Sequence, residues 1–348
     1  MDTLSSINYA KMQGFYELSK EISYKLNNLL NFSIKIKHGV QMLIYASSNE
    51  SKIPYILSLA YYLKALRKGA YPFLIFSKNQ DIGTEISKRI YSLRKNSIVI
   101  VNLENKMKKI NGVSFRKFCK ANNIMFVVTP SLGFVNEKTL PFLVKALNVD
   151  YSLIHKKALR IKSQLLNKKI LYIRTKAGTD LKVDISLKAP LISSGIFESN
   201  SLSANLPGGE IYYATKRKGV NGRVIIDGSL RTPKSCKLLK SPVEILIEKG
   251  RIRSIKGNES EELVKSLRNI YLKHNKLETV YHIGEVGIGL NPVSTLIGAT
   301  IVDEKVLNTA HIAIGSNIGF GGSISAPIHL DQVFKNPEIF ADGERILI

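Results

Sequence analysis

Two cysteines, Cys119 and Cys236, are all that this 348-residue chain carries. So few, and so far apart in sequence, they exclude a disulfide framework and a thiolate metal site. No apolar run approaches the roughly 18 residues that a bilayer-spanning helix needs. The first twenty residues hold acids and lack a basic start followed by an apolar core, so no signal peptide is read there. A cytoplasmic location without a membrane partner is the expectation. Neither GxGxxG nor GxxxxGK[ST] follows a strand-like run, and a nucleotide-binding loop is therefore not indicated.

Acids are also scarce, 27 Asp and Glu against 51 Lys and Arg, for a formal net charge of +24. The imbalance is local. Residues 51–250 hold 36 basic against 12 acidic residues, whereas 301–348 hold 3 against 6. The clusters Lys106-Lys108-Lys109, Lys156-Lys157-Arg160-Lys162 and Lys216-Arg217-Lys218 join no nucleic-acid motif, and a solvated lysine-rich surface is the plainer account. Nucleic-acid or ribosome binding through 51–250 is the alternative that this charge leaves open.

What is present divides in two. Residues 8–32 show mostly helical spacing of apolar residues. Strand-like runs then alternate with helices: VQMLIYA (40–46), a helix over 53–68, AYPFLIF (70–76), a helix over 82–95, SIVIVNL (97–103), a short helix over 113–121, IMFVVTP (124–130), and a long basic helix over 138–166. Continuous apolar strands between helices predict a parallel α/β sheet covered on both faces. Beyond residue 168 come ILYIRT, TDLKVDIS, IYYATK, RVIIDGS and VEILIEKGRI, short strands with Gly, Asn and Pro between them, interrupted by one helix at 258–272. That pattern predicts an antiparallel, β-rich domain. The expected architecture is an α/β domain over 1–168 and an α+β domain over 169–348, rich in antiparallel strands and carrying a metal site.

Residues 284–331 hold two of only six histidines, His311 and His329, each near carboxylates. His329 and Asp331, two apart, share one face of a strand. His311 opens the strand-like HIAIG, Glu285 stands between Gly284 and Gly287 in what reads as a turn, and Glu210 enters a strand after Pro-Gly-Gly. His, Glu and Asp are nitrogen and oxygen ligands that suit zinc, cobalt, manganese or iron. Taken singly, each has a duller account as a hydrogen-bonded core histidine or a solvated acid. His38, His155, His274 and His282 join no motif and read as structural.

GTDL (178–181), NLPGGE (205–210), NGRVIIDGS (221–229), GEVGIGLNP (284–292), DEK (303–305) before HIAIG, and IHLD (328–331) occur in the order found in the M29 metallopeptidases. Over 171–348 the chain resembles that family, the thermophilic aminopeptidases also called aminopeptidase T or leucyl aminopeptidases. The resemblance implies a homodimeric aminopeptidase in which Glu210, Glu285, His311, His329 and Asp331 bind two divalent ions (Zn, Co or Mn). Two metals would ionise a water and clamp the oxyanion, with Glu210 or Glu285 moving the proton. Two positions depart from the family: Gly209 stands where peptidases carry an acid, and Ile318 where they carry a tyrosine, with Tyr212 and Tyr213 as possible replacements. The PGGE and FGG forms look closer to a sister branch of iron-dependent dihydroxypyridine ring-cleaving dioxygenases. There His311, His329 and Asp331 would form an Fe(II) triad.

Overall fold

A computed structural model describes residues 1–78, 89–105, 115–186, 188–197 and 202–348. Half of the helix expected over 82–95, and the Lys106-Lys108-Lys109 cluster, lie outside the described residues. Two compact units emerge, one of Met1–Ser152 with Gly195–Gly208, the other of Leu153–Ser194 with Gly209–Ile348. The sequence expectation drew one division near residue 168; the chain instead passes between the units three times. No helix among the described residues is long and apolar enough to cross a membrane.

The first unit is built on five parallel strands in the order Tyr71–Ser77, Gln41–Ser47, Ile98–Leu103, Met125–Thr129, Ser203–Asn205. Its central strands are continuous runs of Val, Ile and Leu because helices and loops cover both faces. The helix Ile53–Arg67 starts with Pro54 in its first turn, where a missing N–H breaks no helical bond, and buries Ile56, Leu57, Leu59 and Ala60. Two expected helices prove to be pairs. The apolar pattern over 8–32 divides into Thr3–Met12 and Tyr16–Lys25, separated at Gly14 with φ +76°. The basic stretch over 138–166 divides into Leu140–Leu147 and Tyr151–Leu165, because the Asp150 carboxylate accepts the Ser152 N–H at 2.9 Å and starts a new helix.

The second unit contains a seven-stranded sheet running from Arg251–Lys256 to Glu344–Arg345, antiparallel at every pairing. Beside it in this unit is a five-stranded antiparallel sheet, in the order His329–Lys335, Thr309–Gly315, Ile283–Gly289, Glu210–Ala214, Leu191–Ser193. Every sequence-predicted ligand lies on this second sheet.

Candidate metal centre

Period-2 alternation sets the site. On one face of the sheet, Ala214, Glu285, Ala313 and Asp331 form a row across four strands, and Tyr212, Gly287, His311 and Val333 form the next. Glu210 lies one step further, opposite Gly289. Glycine and alanine alternate with the functional side chains, so the longer groups converge over a low floor. Glu285 sits inside the strand Ile283–Gly289, not in the turn expected for it, and a bulge at Gly284 shifts its register. Gly287 is required for a different reason than turning: a Cβ there would overlap the His311 ring that lies across it.

The five predicted residues converge. His311 Nε2 is 3.2 Å from Glu285 Oε1 and 3.6 Å from Glu210 Oε2. His329 Nε2 is 3.5 Å from Glu285 Oε2 and 3.3 Å from Asp331 Oδ1. His311 is fully buried, Glu210, Glu285 and Asp331 nearly so, and His329 is 25 % exposed at its side chain, which makes it the solvent-facing member. His329 Nδ1 lies 2.8 Å from the Ser316 carbonyl, which only accepts. That bond puts the proton on Nδ1 and turns Nε2 toward the two carboxylates, as a ligating imidazole requires.

Two donor groups result, Glu285–His329–Asp331 and Glu210–Glu285–His311, each with ligand atoms within 4.8 Å of one another and both sharing Glu285. The triad His311–His329–Asp331 does not form such a group among the described residues. The register is the cause: Asp331 and His329 pair with Ala313 and Gly315, two and four residues along from His311. A buried set of one imidazole and two carboxylates suits a divalent ion of the hard-to-borderline class, Fe(II) or Mn(II) included.

Electrostatics follow from burial and close opposite charge. Desolvation raises the Glu285 carboxyl, with His311 and His329 opposing. Burial pulls His311 toward neutrality, but Glu285, Glu210 and Asp331 outweigh it and lift the imidazole to about 9. Asp331 is pushed up by burial and held well below the usual carboxylate range by His329, His311 and Lys305.

Four contributors went unread in the sequence. Lys305 is buried, donates to Glu210 Oε1, and donates to Glu304 Oε1 at 2.5 Å. Burial raises Glu304 to about 8, partly offset by Lys305. Asn317, fully buried, ties its loop to the sheet: Nδ2 donates to Thr215 O (3.0 Å) and Gly284 O (2.9 Å), and Oδ1 accepts from Ile324 N at 2.8 Å. Phe320 stands edge-on to His329 and to Tyr212, with ring centroids 5.7 and 5.5 Å apart. The DEK segment was visible as a motif, but a lysine among 51 basic residues carries no mark of burial. Of the histidines read as structural, His155 bonds Ser194 Oγ at 2.9 Å and His282 bonds the Glu278 carbonyl at 3.1 Å.

The two departures from the peptidase pattern have physical grounds. Gly209 has φ +134°, and a Cβ there would lie 2.6 Å from Asn291 Cβ, so the position is closed to an acid. Ile318 is 52 % exposed on the turn that carries Phe320.

This donor set, on an antiparallel sheet of a two-unit chain, is that of a metal-dependent enzyme class. The 2,5-dihydroxypyridine 5,6-dioxygenase (NicX) family profile matches residues 152–348, more than half of the sequence. The chain belongs to that family. A curated relative, 2,5-dihydroxypyridine 5,6-dioxygenase of Pseudomonas putida KT2440, is 23 % identical over 188 residues, which is 51 % of this chain and 52 % of the relative. The chain thus matches about half the length of that relative. Among solved structures, 2,5-dihydroxypyridine dioxygenase from Pseudomonas putida KT2440 superposes with a TM-score of 0.70 at 15 % identity, covering 95 % of this chain and 96 % of that one. Wild-type AmpT from Thermus thermophilus superposes at 0.56 and 18 % identity, covering 94 % and 97 %. At such identities both share the fold alone. The aminopeptidase expectation is overturned by the family match, and the two-metal hydrolytic route with Glu210 or Glu285 as base goes with it. M29 similarity survives as a shared fold.

Proposed function

We propose that this protein opens a small hydroxylated aromatic ring with dioxygen, using one Fe(II) held by Glu285, His329 and Asp331. The observation that carries the reading is that the matched stretch, residues 152–348, contains all three of these residues, which converge on one sheet face. The relative's substrate, 2,5-dihydroxypyridine, is the first compound to try. Bound iron would supply the one-electron chemistry that lets dioxygen react with a closed-shell ring.

The remaining work falls to side chains. Ser316 O fixes the His329 tautomer, leaving Nε2 toward the ligand group. His311 Nε2 lies between Glu285 and Glu210 and holds a proton there, steadying the Glu285 carboxylate. The half-buried Phe320 ring stands edge-on to His329 and Tyr212 edge-on to Phe320, and the two rings offer apolar surface to a planar substrate. Oxygen uptake by anaerobically prepared, Fe(II)-loaded protein tests the proposal. Consumption of dioxygen in step with loss of the ring's ultraviolet absorbance is expected for 2,5-dihydroxypyridine or a close hydroxypyridine. No uptake across a panel of hydroxypyridines and catechols would sink it.

A further inference from the structure

The seven-stranded sheet buries Leu171, Leu181 and Val183 on one face, and the alternate residues Ile170, Lys182 and Asp184 lie on the other. On that second face is a concavity of about 280 Å³ that shares no residue with the metal centre. Ile170, Lys182, Asp184, Lys216, Lys218 and Asn221 line it. Two of these lysines belong to the Lys216-Arg217-Lys218 cluster, which the sequence left as plain surface.

The turn that carries them is fixed. Gly219 N donates to Lys216 O at 2.9 Å, Gly219 O accepts from Asp184 N at 2.7 Å, and Thr215 N donates to Gly284 O at 3.0 Å. Glycine lets the turn close on the neighbouring strand, since a Cβ at Gly219 would lie 3.0 Å from Lys216 Cβ and 3.5 Å from Asp184 Cβ.

Charge separates this spot from the rest of the sheet. Every arginine on the sheet's strands already faces a carboxylate: Arg174 pairs with Asp180, Arg223 with Glu244, Arg251 with Glu278, Arg253 with Glu248 and Arg345 with Glu338. Lys216 is likewise committed, donating to both Asp184 oxygens (2.9 and 3.0 Å) and to Ser186 Oγ (2.6 Å). Lys182 and Lys218 differ. Neither has a carboxylate partner among the described residues, and Lys182 lies over the Tyr172 ring, 5.9 Å from its centroid. Asn221 Oδ1 accepts Lys249 N at 2.7 Å, so the amide presents only its N–H groups to a ligand.

The concavity thus offers two uncompensated ammoniums and an amide donor, while its one carboxylate is neutralised by Lys216. Such a set recruits an anion. Lysine is a compact point charge suited to tetrahedral phosphate, whereas planar carboxylates favour the arginine fork. Two ammoniums match a phosphate monoester, whose charge at neutral pH is about −1.5 to −2. The volume lies just under the roughly 300–1,000 Å³ of ordinary ligand pockets, which suits a compact ligand. We propose that Lys182, Lys218 and Asn221 form a binding site for the phosphate group of a small phosphomonoester. The site stands whether or not the metal centre cleaves rings.

The test is calorimetric titration of the full chain with inorganic phosphate at pH 8 and low ionic strength. One saturable site per chain is expected. Lys182→Met and Lys218→Met should each weaken it by about tenfold, the least that loss of a hydrogen bond to a charged group brings, and the double variant should abolish it. Both side chains are exposed, and thermal melts establish that the variants are folded. Lys256→Met removes another exposed lysine of the same sheet from outside the concavity and should leave affinity within about twofold.

No saturable binding would overturn the proposal. A double variant that binds like the wild type would also overturn it, and would place the phosphate elsewhere, the metal centre included. An equal loss in Lys256→Met would reduce the effect to general charge attraction. Dimethyl phosphate, a diester with a single charge, is expected to bind at least about tenfold more weakly than phosphate. Equal affinity would overturn the monoester in favour of a nucleic-acid backbone. Succinate binding more tightly than phosphate would overturn the choice of phosphate over carboxylate.

Discussion

Ile98–Leu103 in the first unit and Ile283–Gly289 in the second are each buried along their entire length, yet they read IVIVNL and IGEVGIG. The first fills its surroundings with branched aliphatic side chains, joining Leu43, Tyr45, Phe115 and Phe126 in one apolar cluster. The second has three glycines against which the His311 ring and the backbone at Gly315 and Val306 pack closely, and it carries a buried glutamate. The contrast extends to whole units. Among the described residues the first buries one charged side chain, Lys64, which reaches Asn27. The second buries Glu210, Arg231, Glu285, Asp303, Glu304, Lys305, His311 and Asp331. Burying a charge costs several kcal/mol unless it is paired. A sheet that sets Glu210, Glu285, His311 and Asp331 on one face gives up packing energy for a site, while the parallel sheet is organised for stability.

The sharpest way to test this contrast is to remove a donor. Asp331→Ala should abolish ion uptake and ring cleavage, losing more than the roughly ten- to hundredfold that changes around a ligand shell cost, while the melting temperature of the metal-free protein changes little. A large drop in metal-free stability with normal uptake would invert the comparison. Leu57→Ala, in the fully buried face of Ile53–Arg67, should behave oppositely. Denaturant unfolding should show a loss of about 2–5 kcal/mol from the cavity created, with ion uptake per folded chain unchanged.

A pH series on Asp303 ranks next. Burial raises its carboxyl to about 6 against an ordinary value of 3.8, opposed in part by the Ile297 N–H. An acid raised in the folded state loses stability as pH climbs from its unfolded value to its folded one, and nothing further above that. Asp303→Asn should therefore melt with the wild type near pH 3.5 and above it at pH 7, by a gap on the order of 3 kcal/mol at most. A gap that is constant with pH would place the cost elsewhere. The smallest effect is expected for Gly287→Ala. Its methyl would meet the His311 ring, and the forced shift should cost about 1–3 kcal/mol. Because His311 bonds Glu285, a structure of the variant should show that pair separated; an undisturbed pair would mean the sheet floor has slack.

Much of this was legible in the residues. Alternating helices and apolar strands announced the parallel sheet, and HLD at a spacing of two placed His329 and Asp331 on one face. The division of the 138–166 helix was less visible, because it depends on a single Asp150 side chain turning back to the Ser152 N–H. Lys305 was invisible as a site residue, since nothing local separates a buried lysine from the many that cover the surface. The Fe(II) triad was drawn with His311 because two histidines and an acid are a familiar set; the register sets Glu285, rather than His311, within ligand distance of both His329 and Asp331.

Sequence by itself determined the ligand types, the side-chain period of each strand and the two styles of sheet, all properties of short windows. Tertiary structure alone decided which donors come within ligand distance of one another, that Gly287 is a seat for an imidazole, and that an ammonium stands against Glu210. Those depend on cross-strand register, on the bulge at Gly284 and on contacts between residues up to 95 positions apart. Such pairings are set by the energy of the assembled sheet, which no single segment encodes.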